Sequence, residues 1–478
     1  MKSQLIRTLA ASSLVMIAAA ALSQGDPQTL DKIVSQGRDH SQVMNFLRHI
    51  ALDIGPRLTS SPELAKGQQW AMAEFNKMGC TNVHLEKWGE FPVGFDRGPV
   101  QVAKMVAPYH VDMVFTTNAW SNGTNGIVTA DAMYAPKTMD ELASMKDAMK
   151  GKWIVMPMAG PRPRPAPGET PPPPSDTEKI RAELDKMPIA GMITGSRNEL
   201  VITAGRQTGK TFEEHPGAPS ILVRKSDYDR IVRNLDWKRP VKLQIGADNR
   251  WYKGPVPQFN VVAEIKGTEK PDEVIIVSGH FDSWNGPGSQ GASDNGTGSA
   301  AVLEAARILN AAGAKPKRTI RFILWSGEEQ GIFGSAGYVR DHKADLDKIS
   351  AVLVDDGGSN YQGGYVVLES MKPMFEEAIA ASLKAFPEYP QVLRVVDTMP
   401  KGGGSDHVPF NGVGVPGFFT IETGKQDYGF VHHTQHDHLG NVIPEYMVQS
   451  GTNHAIVAYN LACAATMLPR APKPASGN

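Results

Sequence analysis

A chain of 478 residues has room for two or three domains at roughly 100–200 residues each, and for a large buried core. Its 41% hydrophobic and 21% charged residues are those of a soluble globular protein, and a formal net charge of -1 leaves no basic field to hold nucleic acid or an anionic membrane. Cys80 and Cys463 are the only cysteines. They are too few for a disulfide framework or a thiolate zinc site and read as buried apolar residues, with one bridge between them left open.

In chain order, residues 1–23 read as an export signal. Lys2 and Arg7 give a positive start, an apolar run from Leu9 to Leu22 follows, and Ala21-Leu22-Ser23 offers small residues for cleavage. The run is shorter than the ~20 residues that span a bilayer. The expectation is a periplasmic or secreted protein with no stable membrane insertion. Residues 24–90 read as the N-terminal part of a catalytic domain, with helices between Asp31 and Met78 and a strand over Asn82–Trp88.

Residues 91–240 change in character. Short β-like runs appear, including Val111–Phe115, Trp153–Met156, Gly191–Thr194 and Ser220–Val223. A proline cluster at Pro161, Pro163, Pro165, Pro167 and Pro171 to Pro174 interrupts them and must be an exposed loop. This region reads as an inserted β-rich domain. Residues 241–470 then alternate strand and helix. Strands are predicted over Phe259–Ile265, Val274–Ser278, Thr319–Trp325, Ile349–Val354, Tyr365–Leu368, Gln391–Val396 and Val415–Ile421. Helices are predicted over Gly298–Ala312, Gly331–His342, Met374–Phe386 and Pro444–Leu468. Such alternation predicts an α/β fold, a mixed sheet with helices on both faces. Residues 471–478 form a tail.

Polar residues of one chemistry follow the apolar strands. His280 follows Val274–Val277, Glu328 and Glu329 follow Ile320–Trp325, Asp355 and Asp356 follow Ala351–Val354, and His433 comes shortly after Phe418–Ile421. The carboxyl ends of strands in an open α/β sheet share one edge, where ligands bind. Asp294, in Gly291–Gly298 just before a helix, has the alternative reading of a helix cap. With His280 upstream and the glutamates downstream, a metal ligand is the better reading. Imidazole nitrogen and carboxylate oxygen are zinc donors, and two zinc ions ~3.5–4 Å apart need a bridging carboxylate. Asp294 is the bridging candidate, His280 and Asp356 would complete one metal, and Glu329 and His433 the other. Glu328 is left as general base. Asp282, two residues after His280, is assigned to support that imidazole or to shape the turn. The loop Gly402–His407 reads either as a tight turn or as support with close backbone approach to substrate. Of His432, His436, Asp437 and His438, at most one or two should matter.

The strings Gly279–Ser283, Ser293–Gly296, Glu328-Glu329, Asp356-Gly357, Ser405-Asp406-His407 and His433-Thr434 together resemble the di-zinc exopeptidases of the bacterial leucyl aminopeptidase and carboxypeptidase Q group. They cover most of residues 260 to 440 in the family's order. The resemblance implies a phosphorylase/hydrolase-like α/β/α sandwich, two Zn2+ per chain with the same ligand partition, Glu328 as base, and a cis peptide after Asp294. It also implies that 91–240 is a protease-associated-like domain. Some members place a tyrosine before the Ser-Asp-His string, where this chain has Gly402, Gly403 and Gly404. Tyr428 or a loop amide is then the candidate oxyanion donor, and Tyr428, Asp406 and Gly403 are the candidate substrate-binding residues.

The expected activity is hydrolysis of terminal residues from peptides, an aminopeptidase first and a carboxypeptidase Q-like dipeptidase or carboxypeptidase second. Lys401 and Lys425 are candidate partners for a substrate carboxylate. A homodimer is compatible with the sequence. Two other classes compete. Ala204–Thr211 resembles the end of a phosphate-binding P-loop, but Ala204 stands where glycine is required. A non-catalytic receptor on the same fold should have lost metal ligands, and this chain keeps all five.

Overall fold

The computed structural model describes residues 25–158, 172–207, 209, 211–214 and 217–470. The expected export signal, most of the proline cluster, part of the P-loop-like string and the tail lie outside them. No helix among the described residues is long and apolar enough to cross a membrane.

Twelve strands join in one sheet: β1 (Thr81–Ala107), β2 (Val111–Asp112), β3 (Phe115–Thr117), β4 (Val128–Tyr134), β5 (Trp153–Val155), β6 (Gly191–Gly195), β7 (Ser220–Val223), β8 (Lys242–Ile265), β9 (Lys270–His280), β10 (Arg318–Trp325), β11 (Ile349–Val354) and β12 (Gly417–Phe419). Four of them, in the order β12-β11-β9-β10, are parallel, and β8 closes that group antiparallel to β10. These central strands are continuous apolar runs because both faces are covered, as parallel strands require. Ile275, Val277, Ile320, Phe322, Leu324, Ala351 and Leu353 enter one core with the helices Pro62–Lys77, Thr297–Ala311 and Pro444–Cys463. Their alternating neighbours Ile276, Ile323, Trp325, Val352 and Val354 enter the other with Tyr338 and Phe410. The result is the expected three-layer α/β/α sandwich.

Registry decides where the polar residues after each strand arrive. Trp325 pairs with His280, Val354 with Ser278, and Phe419 with Val354. The carboxyl ends of four parallel strands are therefore flush at one edge.

The segment from 91 to 240 differs from the sequence expectation in two ways. The boundary at residue 91 falls inside β1, which runs antiparallel to β8 from Thr81 opposite Glu264 to Ala107 opposite Lys242. The sheet thus continues through β4, β5, β6 and β7 rather than breaking. Three helices, Met139–Met145, Asp176–Leu184 and Lys225–Asp236, also accompany the strands, so this part is α/β and not simply β-rich. In the first two the apolar positions are sparse: only Leu142 is buried in one, and Ile180 and Leu184 in the other, so their helical periodicity is faint in the sequence. In the third, Tyr228, Ile231, Val232 and Leu235 keep helical spacing. Met105, Phe115, Trp153, Ile193, Val223, Ile231 and Leu243 form a separate core there. Cys80 and Cys463 are buried and unbridged.

Phe322 is fully buried and stacks on Phe75 with ring centroids 6.1 Å apart. Phe322→Ala should cost about 3–5 kcal/mol of stability, read as a lower urea midpoint at unchanged slope. A loss under about 1 kcal/mol would mean that helix and sheet are not held together there.

Candidate active site

His280 is the last residue of β9, Glu328 and Glu329 lie in the turn after β10, and Asp355 and Asp356 follow β11. From β9 the chain crosses to β10 on one side and then to β11 on the other, which leaves a crevice at the carboxyl ends. Asp294 sits in the turn Ala292–Gly296 that opens the helix Thr297–Ala311, and its peptide bond to Asn295 is cis. His433 follows the short helix Tyr428–Val431 and has a left-handed backbone, φ 60°.

The five ligand candidates meet. His280 Nε2 is 3.0 Å from Asp356 Oδ1 and 3.3 Å from Asp294 Oδ1. His433 Nε2 is 3.0 Å from Asp294 Oδ2 and 3.0 Å from Glu329 Oε2. One carboxylate thus turns one oxygen to each imidazole, which is the disposition a bridging ligand needs. Glu329 Oε1 is buried without a hydrogen-bond partner, a state that a cation would relieve. Two imidazoles and three carboxylates, almost wholly buried apart from His433, fit zinc in donor type and charge.

Burial without a metal distorts the ionisation of these groups. Burial disfavours a charge on His433, but Glu329 and Asp294 prevail and hold its imidazole at about 11. His280 is likewise held well above the usual range, against burial, by Asp356, Asp282 and Asp294. Burial and the charge of Asp294 push Glu329 to about 7. Glu328 is raised well above the ordinary range by burial, and Asp356, Asp406 and Glu329 add to that rise. Asp294 goes the other way: despite burial, hydrogen bonds from His280 and His433 keep it ionised.

The supporting residues are partly those expected. His280 Nδ1 bonds to the main-chain oxygen of Asp282 at 2.9 Å, not to its carboxylate, which lies 3.7 Å away. The Asp282 carboxylate instead accepts from Thr59 Oγ1 (2.6 Å) and from the main-chain N–H of Glu328 (3.3 Å). Glu328, Glu329, Asp294, Asp356 and His433 line a cleft of about 370 Å³ with Gly331, Ile332, Gly403, Gly404, Phe419, Tyr428 and His432. Asp406 does not line it. It is fully buried, bound by Ser335 Oγ, and so stands behind the wall rather than against a substrate. Lys401 and Lys425 are exposed and also outside the lining.

Further residues support the site: Asp355 and Asp437 lie in strings the sequence marks, whereas Arg57, His454 and Thr203 carry no sequence signal. Arg57 is fully buried and donates to the carbonyls of Gly55, Phe281, Gln290 and Gly291, tying together the loops that carry His280 and Asp294. Asp437 accepts from Ser293 N at 2.5 Å. Asp355 accepts from Gln362 (2.7 Å), faces buried His454 (3.1 Å), and receives Asn295 Nδ2 on its main-chain oxygen (2.7 Å). The segment after β6 reaches the His433 loop: Thr203 N donates to His433 O (2.8 Å) and Val201 N to Gln435 Oε1 (2.9 Å).

Residues 260–457 match the model for Peptidase family M28. The chain is 29% identical over 418 residues to mouse Carboxypeptidase Q, covering 87% of this chain and 85% of that one. The human Carboxypeptidase Q is 26% identical, with 87% and 84% covered. Among solved structures, a Peptidase M28 precursor from Shewanella amazonensis superposes with a TM-score of 0.65 at 23% identity, covering 93% of this chain and 98% of that one. BSAP, a zinc aminopeptidase from Bacillus subtilis, gives 0.55 at 19% identity over 87% and 94%. Fold, site and relatives define a metallo-exopeptidase hydrolase. The match to peptidase family M28 lies over residues 260–457, and the chain is similar over most of its length to carboxypeptidase Q.

Zinc ligation requires neutral imidazole. His433, ordinarily near 6.5 and here held at about 11, is protonated at pH 7 in the metal-free chain. If His433 is a zinc ligand, uptake expels that proton, and zinc affinity should rise with pH up to about 11. Calorimetry in buffers of different ionisation heat should show release of about one proton or more per chain at pH 7. Zero release would contradict this ionisation.

Proposed function

We propose that this chain hydrolyses the terminal bond of short peptides with two zinc ions, Asp294 bridging them, His280 and Asp356 completing one and Glu329 and His433 the other. The single observation that carries the reading is the split Asp294 carboxylate, one oxygen toward each imidazole. Zinc held there would supply Lewis acidity, lowering the pKa of water and polarising a carbonyl oxygen. Glu328 lines the cleft, and its main chain is held by the Asp282 carboxylate. It takes the proton of the attacking water and returns it to the leaving amine, the general-base role. Tyr428, whose ring lines the same cleft, is the proposed donor to the developing oxyanion. A cleft of about 370 Å³ suits a dipeptide-sized ligand better than a long chain.

Aminopeptidase action is the first reading. The ionisable groups lining the cleft are carboxylates, two histidines and a tyrosine, and no lysine or arginine among the described residues joins them. Such a lining favours a free amine over a carboxylate. Carboxypeptidase or dipeptidase action is the second, favoured by likeness to carboxypeptidase Q over 87% of the chain. Export of the mature chain is part of the proposal and rests on residues 1–23.

Dipeptides with free ends, N-acetylated dipeptides and dipeptide amides separate the two. An aminopeptidase cleaves the amides and spares the acetylated set, and a carboxypeptidase does the reverse. Glu328→Gln should retain zinc and lower turnover by about 10²–10⁴-fold, whereas Asp294→Ala should lose zinc as measured by metal analysis. Full turnover in Glu328→Gln would assign the base elsewhere.

A further inference from the structure

Two cleft-lining residues other than glycine have a left-handed backbone, His433 and Ile332, and only Ile332 is β-branched. Its φ is 61° and ψ 38°, the left-handed region. A β-branched residue is an outlier there, because Cβ crowds the carbonyl oxygen. Glycine would take this conformation without strain, and the preceding Gly331, at φ 131°, shows that the turn already uses glycine where it needs it.

Core packing does not account for the isoleucine. Ile332 is only half-buried and belongs to none of the buried apolar clusters, whereas its neighbour Phe333 packs on Trp88 and Phe91 at 6.0 and 6.3 Å. Ile332 instead lines the cleft, as do the rings of Phe419 and Tyr428 elsewhere in its lining. Gly403 and Gly404 line it too, and a Cβ added to Gly404 would meet nothing within 4 Å. The cleft thus pairs apolar side chains with glycines that leave room for a substrate side chain. Ile332 is also tied to the proposed base. Ile332 N and Gly331 N both donate to the main-chain oxygen of Glu328 at 2.9 Å, and Phe333 N donates to Gly327 O at 3.0 Å. A strained residue persists where its surroundings over-determine it, and such residues cluster at functional sites.

We propose that Ile332 is a specificity-determining residue, selecting an apolar side chain on the substrate residue next to the scissile bond. This rests on the site reading given above. The test compares kcat/KM for leucine- and glycine-containing dipeptides in the zinc-loaded wild type, Ile332→Gly and Ile332→Ala, together with urea unfolding of all three. The expected result is a leucine preference that falls about ten-fold or more in both variants, as loss of an apolar wall implies. The unfolding midpoint should hold or rise in Ile332→Gly and show no gain in Ile332→Ala. An unchanged preference overturns the inference, as does a lower midpoint for Ile332→Gly, which a packing role would produce. Loss of all turnover in both variants with zinc retained also overturns it, since Ile332 would then support the chemistry and not the choice. A zinc-loaded wild type inert to every dipeptide fails differently: it removes the site reading itself, and the inference with it.

Discussion

Asp294 stands almost fully buried between two imidazoles at the cleft, and each of the three groups depends on the others. A buried carboxylate or a buried imidazolium is costly alone, and tolerable when paired and hydrogen-bonded. Here one carboxylate serves both His280 and His433, while Asp356 and Glu329 complete the surroundings of each. Removing Asp294 would take from both imidazoles the one carboxylate they share. The geometry that keeps it in place is therefore the constraint around which the surrounding structure is built.

That geometry is supplied in layers. The flush ends of β9, β10 and β11 deliver His280, the glutamate turn and Asp356. Arg57 fixes the spacing between the loops after β9 and before the helix Thr297–Ala311 by donating to carbonyls on both. Asp355, itself held by Gln362 and facing His454, carries Asn295 on its main-chain oxygen and so braces the Asp294 turn from behind. A buried polar network of this kind is favourable only when its members are satisfied, and it then admits a single arrangement.

The long β1–β8 ladder has a consequence for the cleft. By extending the sheet it brings the segment after β6 against the loop of His433, where Thr203 N meets the main-chain oxygen of that residue. Trp284 adds an edge-on contact to the His433 ring at 5.9 Å. Residues far apart in sequence thus hold the main chain and the ring of His433. The left-handed Ile332 is held locally instead, by main-chain hydrogen bonds from Gly331 and Ile332 to the Glu328 oxygen.

The sequence by itself determined the layered α/β core and the five groups that meet at its edge. Continuous apolar runs such as Val274–Val277 and Ala351–Val354 can be buried on both faces only as inner strands, so the polar residue that follows each must emerge at the shared carboxyl edge. It did not disclose the helices Met139–Met145 and Asp176–Leu184, whose few buried positions leave little periodic trace. Nor did it separate Asp406, buried behind the wall, from Tyr428, which lines the cleft. Arg57, His454 and the Thr203 contact were decided by tertiary structure alone. Their roles lie in hydrogen bonds to main-chain atoms and polar groups far along the chain, and such partners are set by the folded path rather than by the identity of any neighbour in sequence.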